Sequence, residues 1–255
     1  HVGCDLPLRQ TVATLAEAGL QEVSHVSLHR RLKAAGGFLQ TLVSRMARER
    51  SDATVEHWGA YVPVMVDGSV VVTPKYNEFN GRLHAALRLA DLSIVDALIT
   101  TAESGETLKR FSFSPNELIV ADRGFADPVG ISSVLAQGAD VLVRVNRSSL
   151  PVYDADHCRI DLLAWVRALA TRERVHARPA RAEGPTHAID GRLLAVRVPK
   201  DKRAEARKRA RAEFGNDPVA LELSEWVLLF TTASAARLTD AQAVRLYRCR
   251  WQIEL

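Results

Sequence analysis

At 255 residues, with 47% hydrophobic and 25% charged side chains, the chain has the make-up of an ordinary globular protein, and disordered and collagen-like classes are excluded. No run of about 18 apolar residues could cross a bilayer and no secretory signal pattern opens the chain, so the protein is expected in the cytosol, away from membranes. The formal net charge is only +4, yet residues 170–211 hold thirteen Lys or Arg against five Asp or Glu. A basic segment beside a mildly acidic body is the footprint of a polyanion contact. Cys4, Cys158 and Cys249 stand far apart with no CxxC pair, which encodes neither a disulfide framework nor a zinc site.

In chain order, residues 1–60 read as short helices. "LRQTVATLAEAG" is stopped by Gly19 and "SLHRRLKAAGG" by a glycine pair, as in a small DNA-binding module. From Tyr61 the pattern changes to strands: "YVPVMVDGSVVVTP", then "RLHAALRLAD" and "LSIVDALITTA". "ESGETLKRF" reads as a short helix. "ELIVADRGF" is an apolar strand ending in a charge, followed by the helix "DPVGISSVLAQG" and the strand "ADVLVRVN".

After residue 146 this regularity lapses. Residues 147–224 mix the helical "IDLLAWVRALA", the alternating "RERVHAR" and "RLLAVRVPK", and the basic helix "DKRAEARKRARAEFGN", and are expected to form a strand-rich insertion subdomain. "EWVLLFTT" then returns to a buried strand. The closing "LTDAQAVRLYRCRWQIEL" reads as a helix with Thr239 as its N-cap. The chain begins at His1 and stops within that helical pattern, so a piece of a longer protein is expected.

Two acids stand out on this scaffold. Asp67 interrupts "VPVMVDGSVVV" and Asp122 closes "LIVAD". A carboxylate in an otherwise apolar strand is costly to bury without a cation, so each position asks for a metal or an Arg, although an Asp can also simply cap the next turn. In the closing helix Tyr247, Arg250 and Glu254 fall at i, i+3 and i+7 and share one face. Three carboxylates, Asp67, Asp122 and Glu254, could bind hard divalent ions through oxygen. The scattered histidines make no metal-ligand pair. His84 reads as a core or near-site residue, and Ser69 and Ser104 lack a nucleophile-elbow context.

"VDGS", "VADRGF" and above all "YRCRWQIE" resemble the transposases of the insertion sequence 4 family. The family signature of Tyr, Arg, Glu and Lys falls here on Tyr247, Arg250 and Glu254, with the Lys beyond Leu255. The resemblance covers residues 61–255. It implies a ribonuclease-H-like catalytic domain, a mixed α/β sheet flanked by helices, built from 61–146 and 225–255 and interrupted by the 147–224 insertion. It also implies DNA strand cleavage at element ends and strand transfer. Asp67, Asp122 and Glu254 would hold two Mg²⁺ ions, with Mn²⁺ as a substitute. Double-stranded DNA in a prokaryotic cell is the implied partner, with a homodimer acting on it.

On this reading Tyr247 and Arg250 meet DNA beside the metals, and Arg123 meets phosphate or a site carboxylate. Trp226 either stacks on a flipped base, worth about 1–3 kcal/mol, or is a core residue. Trp251 reads as core. Arg207, Lys208 and Arg209 of the basic helix would contact the DNA backbone, unless that helix is merely solvated. Two rival readings exist. A phosphotransferase with Asp67 as nucleophile lacks the usual second Asp two residues on. A transposase-derived DNA-binding protein without activity would not need three acids.

Overall fold

In the computed structural model the described residues are 8–19, 23–35, 38, 58–72, 80–101, 103–169, 175–183 and 188–250. The chain divides into two compact units, His1–Glu49 and Arg50–Leu255. The first contains α1 (Leu8–Glu17) and α2 (His25–Ala34), neither of which buries a residue completely. Gly19, at φ +66°, ends the first helical segment, a conformation that favours glycine. Ser24 caps α2 by accepting from Ser27 N.

The second unit is built on one nine-stranded sheet. Its strands are β1 (Val62–Val72), β2 (Asn80–Arg88), β3 (Ile94–Thr101), β4 (Glu117–Ala121), β5 (Asp140–Arg144), β6 (Val152–Tyr153), β7 (His176–Glu183), β8 (Ala188–Arg197) and β9 (Trp226–Thr231). The spatial order is β3-β2-β1-β4-β5-β9-β8-β7-β6. β1, β4 and β5 are parallel, and every other pairing is antiparallel. The helices are α3 (Pro128–Leu135), α4 (Leu162–Ala168), α5 (Arg203–Phe214), α6 (Pro218–Leu223) and α7 (Asp240–Arg248).

The central strands are apolar on both faces because both faces are covered. Val64, Val66, Ile119, Ala121, Val141 and Val143 pack into one cluster. Met65, Leu118, Val120, Leu142 and Leu229 pack into a second, against Ala243, Val244 and Leu246 of α7. This alternation explains the near-continuous hydrophobic runs seen in the sequence. α7 begins with a capping box: Thr239 accepts from Gln242 N, and the Gln242 side chain reaches back to Thr239 N.

One element differs from expectation. "ESGETLKRF" yields only a 3-10 turn, Leu108–Arg110, capped by Thr107; Ser104 and Gly105 upstream of it favour a loop. The strands of residues 147–224 join the main sheet. β8 pairs with β9 over six residues, Arg192–Arg197 against Trp226–Thr231, so β6, β7 and β8 continue the main sheet outward. Pro179 is tolerated in β7 because β6 reaches only Arg181 and Ala182, leaving the outer edge beside Pro179 free of a ladder.

Candidate active site

The parallel register of β1 and β4 sets Val66 beside Ala121, and the next residue on each chain is the acid. Alternation puts Asp67 on the face of Met65, and Asp122 continues from the face of Val120. That is the face covered by α7. Asp67 and Asp122 therefore emerge side by side on neighbouring parallel strands, Asp122 just past the end of β4 and Asp67 within β1 where its ladder with β4 stops, under the last turn of α7. Ligand sites of open α/β sheets recur at this place. Asp122 also caps the turn Arg123–Phe125, its Oδ1 accepting from Gly124 N at 2.7 Å, which fixes the carboxylate's direction.

α7 supplies the roof. Arg250, with 7% of its surface exposed, lies 3.7 Å from Asp67 Oδ1 and donates a hydrogen bond to the Tyr247 hydroxyl. Burial raises the phenol's pKa above its usual value; nearby Arg144 and Arg250 oppose the shift and Asp122 adds to it. Arg250 is thus turned inward onto a carboxylate, so a phosphate contact requires that ion pair to open. Glu254 and Trp251 lie outside the described residues. Among the described residues no group of three or more His, Cys, Asp or Glu converges as a metal cage. The donor chemistry nevertheless fits a hard divalent ion: paired carboxylates at a strand edge, one of them already holding a cationic side chain.

The remaining sequence-predicted residues are spread around this centre. Arg123 is ion-paired with Glu213 of α5, and its guanidinium sits 5.4 Å from the ring centre of Phe214. That contact ties the segment after Asp122 to the basic helix. Trp226 is 7% exposed, with Arg197 over its ring and His176 at its edge. Even so, it lines a cleft of about 690 Å³ together with Arg123, Arg144, Arg147, Arg159 and Arg209. On α5, Arg207 pairs with Glu225 and Arg209 with Glu205, while Lys208 has no ion-pair partner among the described residues. His84 is fully buried, with Nε2 2.9 Å from Thr100 Oγ1.

Two site residues were missed by sequence reasoning. Arg144 ends β5, two residues after the buried Leu142, and lies close enough to act on the Tyr247 hydroxyl. Its signal was the charge closing "DVLVR", the same signal that marked Asp122. The other is Glu106. Burial pushes its carboxyl pKa up, Asp122 and Asp67 push the same way, and Arg82, at 3.3 Å, opposes them.

The family profile described as "Transposase DDE domain" matches residues 58–255. The putative transposase InsL of insertion sequence element IS186A from Escherichia coli K12 is 28% identical over 263 residues, covering 98% of this chain and 70% of that protein. The transposase of insertion sequence element IS421 from Escherichia coli is 28% identical over 261 residues, covering 97% and 69%. Among solved structures, a piggyBac transposase synaptic complex with hairpin DNA aligns with a TM-score of 0.42 at 8% identity, over 79% of this chain and 39% of that one. The chain belongs to the DDE transposase family.

Proposed function

We propose that this DNA transposase cleaves DNA at the ends of its element and joins them to a target through one carboxylate site made by Asp67, Asp122 and Glu254. The observation that carries the reading is the pairing of Asp67 and Asp122 on adjacent parallel strands beneath Tyr247 and Arg250. Two Mg²⁺ ions, or Mn²⁺, would be held by those acids and would supply activation of the attacking oxygen and stabilisation of the leaving one. The chain's own groups orient the reaction. Arg250 offers a buried, charge-assisted donor that can exchange Asp67 for a phosphate oxygen. Tyr247, protonated throughout the neutral range because its pKa is raised, donates a hydrogen bond in the same corner. Tyr247 lies in the last turn of α7 and Arg250 just beyond its end, so the helix carries both toward the acids.

The arginine-lined cleft gives the DNA a path away from the acids. Arg123, Arg144, Arg147 and Arg159 would bind backbone phosphates, Trp226 would offer a ring to an unstacked base, and Arg207, Lys208 and Arg209 would extend the positive track over α5. We place residues 61–146 and 225–255 in the catalytic domain, with 147–224 as its insertion. A homodimer on DNA completes the proposal.

The test is cleavage of a supercoiled plasmid carrying the element's ends by the full-length protein. Asp67→Ala, Asp122→Ala and Glu254→Ala should each lower cleavage on the order of a hundredfold or more, since even outer-shell changes cost roughly 10–100-fold, while DNA binding persists. Metal-dependent nicking that survives Glu254→Ala would mean a different third carboxylate. No nicking by the wild type would favour a DNA-binding protein without activity.

A further inference from the structure

We propose that Glu106 is a positioning residue of the carboxylate site, a wedge of negative charge set behind Asp67 and Asp122 that holds both in register for a divalent cation. The proposal rests on the reading of Asp67 and Asp122 as cation ligands. Glycine follows Asp67 directly and Asp122 at one remove, and Glu106 occupies the space that side chains at both glycines would need. A Cβ added at Gly68 would lie 3.1 Å from Glu106 Oε1, and one added at Gly124 would lie 1.7 Å from Oε2 and 3.2 Å from Asp122 Oδ1. The glycines of "DGS" and "DRG" are thus the two walls of one seat, and the Glu106 carboxylate fills it.

The direction of approach distinguishes this role from that of a third ligand. Gly68 alternates with Asp67, so its missing side chain would point into the face of Val64 and Val66, opposite the face that carries Asp67 and α7. Glu106 therefore approaches Asp67 from behind, and no three-acid cage forms among the described residues. Its own segment is fixed for the purpose. Thr107 caps the following turn, Leu108 is fully buried, Arg110 donates to the Gly105 carbonyl at 3.1 Å, and Arg82 pairs with Oε1. Without a cation the acids are balanced by Arg250 on Asp67 and Arg82 on Glu106. A carboxylate behind the ligands deepens the negative potential where the cation sits and keeps the Asp122–Gly124 turn in place.

The readout is Mn²⁺ affinity of the full-length protein without DNA, measured by electron paramagnetic resonance of free Mn²⁺, beside the Tm of the metal-free protein. Glu106→Ala should weaken Mn²⁺ binding about tenfold or more without lowering that Tm. Gly68→Ala should do the same, because its new methyl meets only the flexible Glu106 side chain. The double variant Glu106→Ala, Gly68→Ala should be no weaker than Glu106→Ala alone, since both changes act through one contact. If Glu106→Ala fails to fold, Glu106→Gln keeps the shape and removes the charge, and should still weaken Mn²⁺ several-fold. Wild-type affinity in Glu106→Ala or Glu106→Gln, or fully multiplied losses in the double variant, would overturn the proposal while an Asp67→Ala control still lost binding. Undiminished binding in Asp67→Ala would overturn the carboxylate-site reading itself, and this proposal with it.

Discussion

The two halves of the sheet differ in chemistry as sharply as in connectivity. Residues 61–146, which form β1 to β5, carry seven Lys or Arg against ten Asp or Glu; residues 147–224, which add β6 to β8, carry sixteen against eleven. The acidic half gathers carboxylates beside its central strands, held by inward arginines, Arg82 from within that half and Arg250 from beyond the end of α7. The basic half keeps its charges outward in paired but exposed contacts, such as Arg167 with Glu222 and Arg181 with Asp190. Such exposed pairs add little stability. One half is built to concentrate negative charge for a cation, the other to present positive charge to a polyanion, and β9 joins them by pairing with β5 on one side and β8 on the other.

Arg192 departs from that division, and removing it gives the largest expected effect. Arg192 of β8 crosses from the basic half to the start of α7, donating to the Ala233 carbonyl at 3.0 Å and the Leu238 carbonyl at 2.8 Å and pairing with Asp240. It anchors the helix that carries Tyr247 and Arg250. Arg192→Ala should cost about 2–3 kcal/mol in urea unfolding, because partly buried carbonyls lose a charged donor. Cleavage should fall while binding to DNA is retained. A variant with wild-type stability would show that α7 is held by its apolar face alone.

How much of this was legible in the sequence follows the same division. Asp67 and Asp122 could be found because a charge interrupting or closing an apolar strand is energetically conspicuous, and Arg144 carried that signal too. The Thr239 cap was readable from local chemistry alone. Glu106 was not, since it sits among polar residues in "ESGET" and its meaning lies in a contact with glycines from two other segments. A trace of it existed: a glycine beside each acid marks a close approach by something. That β8 would join β9 was also hidden, because an edge strand's partner leaves no mark on its composition.

The basic half can be tested where its charges are free. Lys208 and Arg211 on α5 have no ion-pair partner among the described residues, whereas Arg207 and Arg209 already answer Glu225 and Glu205. Reversing Lys208 and Arg211 to Glu should weaken DNA binding about tenfold across unrelated sequences and reduce the salt slope by roughly one unit for each phosphate no longer neutralised. Mn²⁺ affinity should not move. A salt slope identical to wild type would make α5 a solvated face and leave the cleft arginines as the DNA track.

The smallest effect belongs to the acidic half and is read by pH. His84 is fully buried on β2, opposite Gly68, with Nε2 on Thr100 and Nδ1 unpartnered. Burial first, then Arg110 and Arg82, hold its pKa below the usual 6.5. A folded-state value below the unfolded one means that the neutral ring's contribution is complete above pH 6.5 and is lost as pH falls through the folded value. Urea unfolding of the wild type between about pH 7.5 and 5 should therefore show stability declining on the acid side, by at most about 1.4 kcal/mol per pH unit from this one proton. His84→Gln keeps a polar group within reach of Thr100 and cannot titrate, so its profile should be flatter over that range. Parallel profiles would make the buried imidazole a bystander in acid and overturn this assignment.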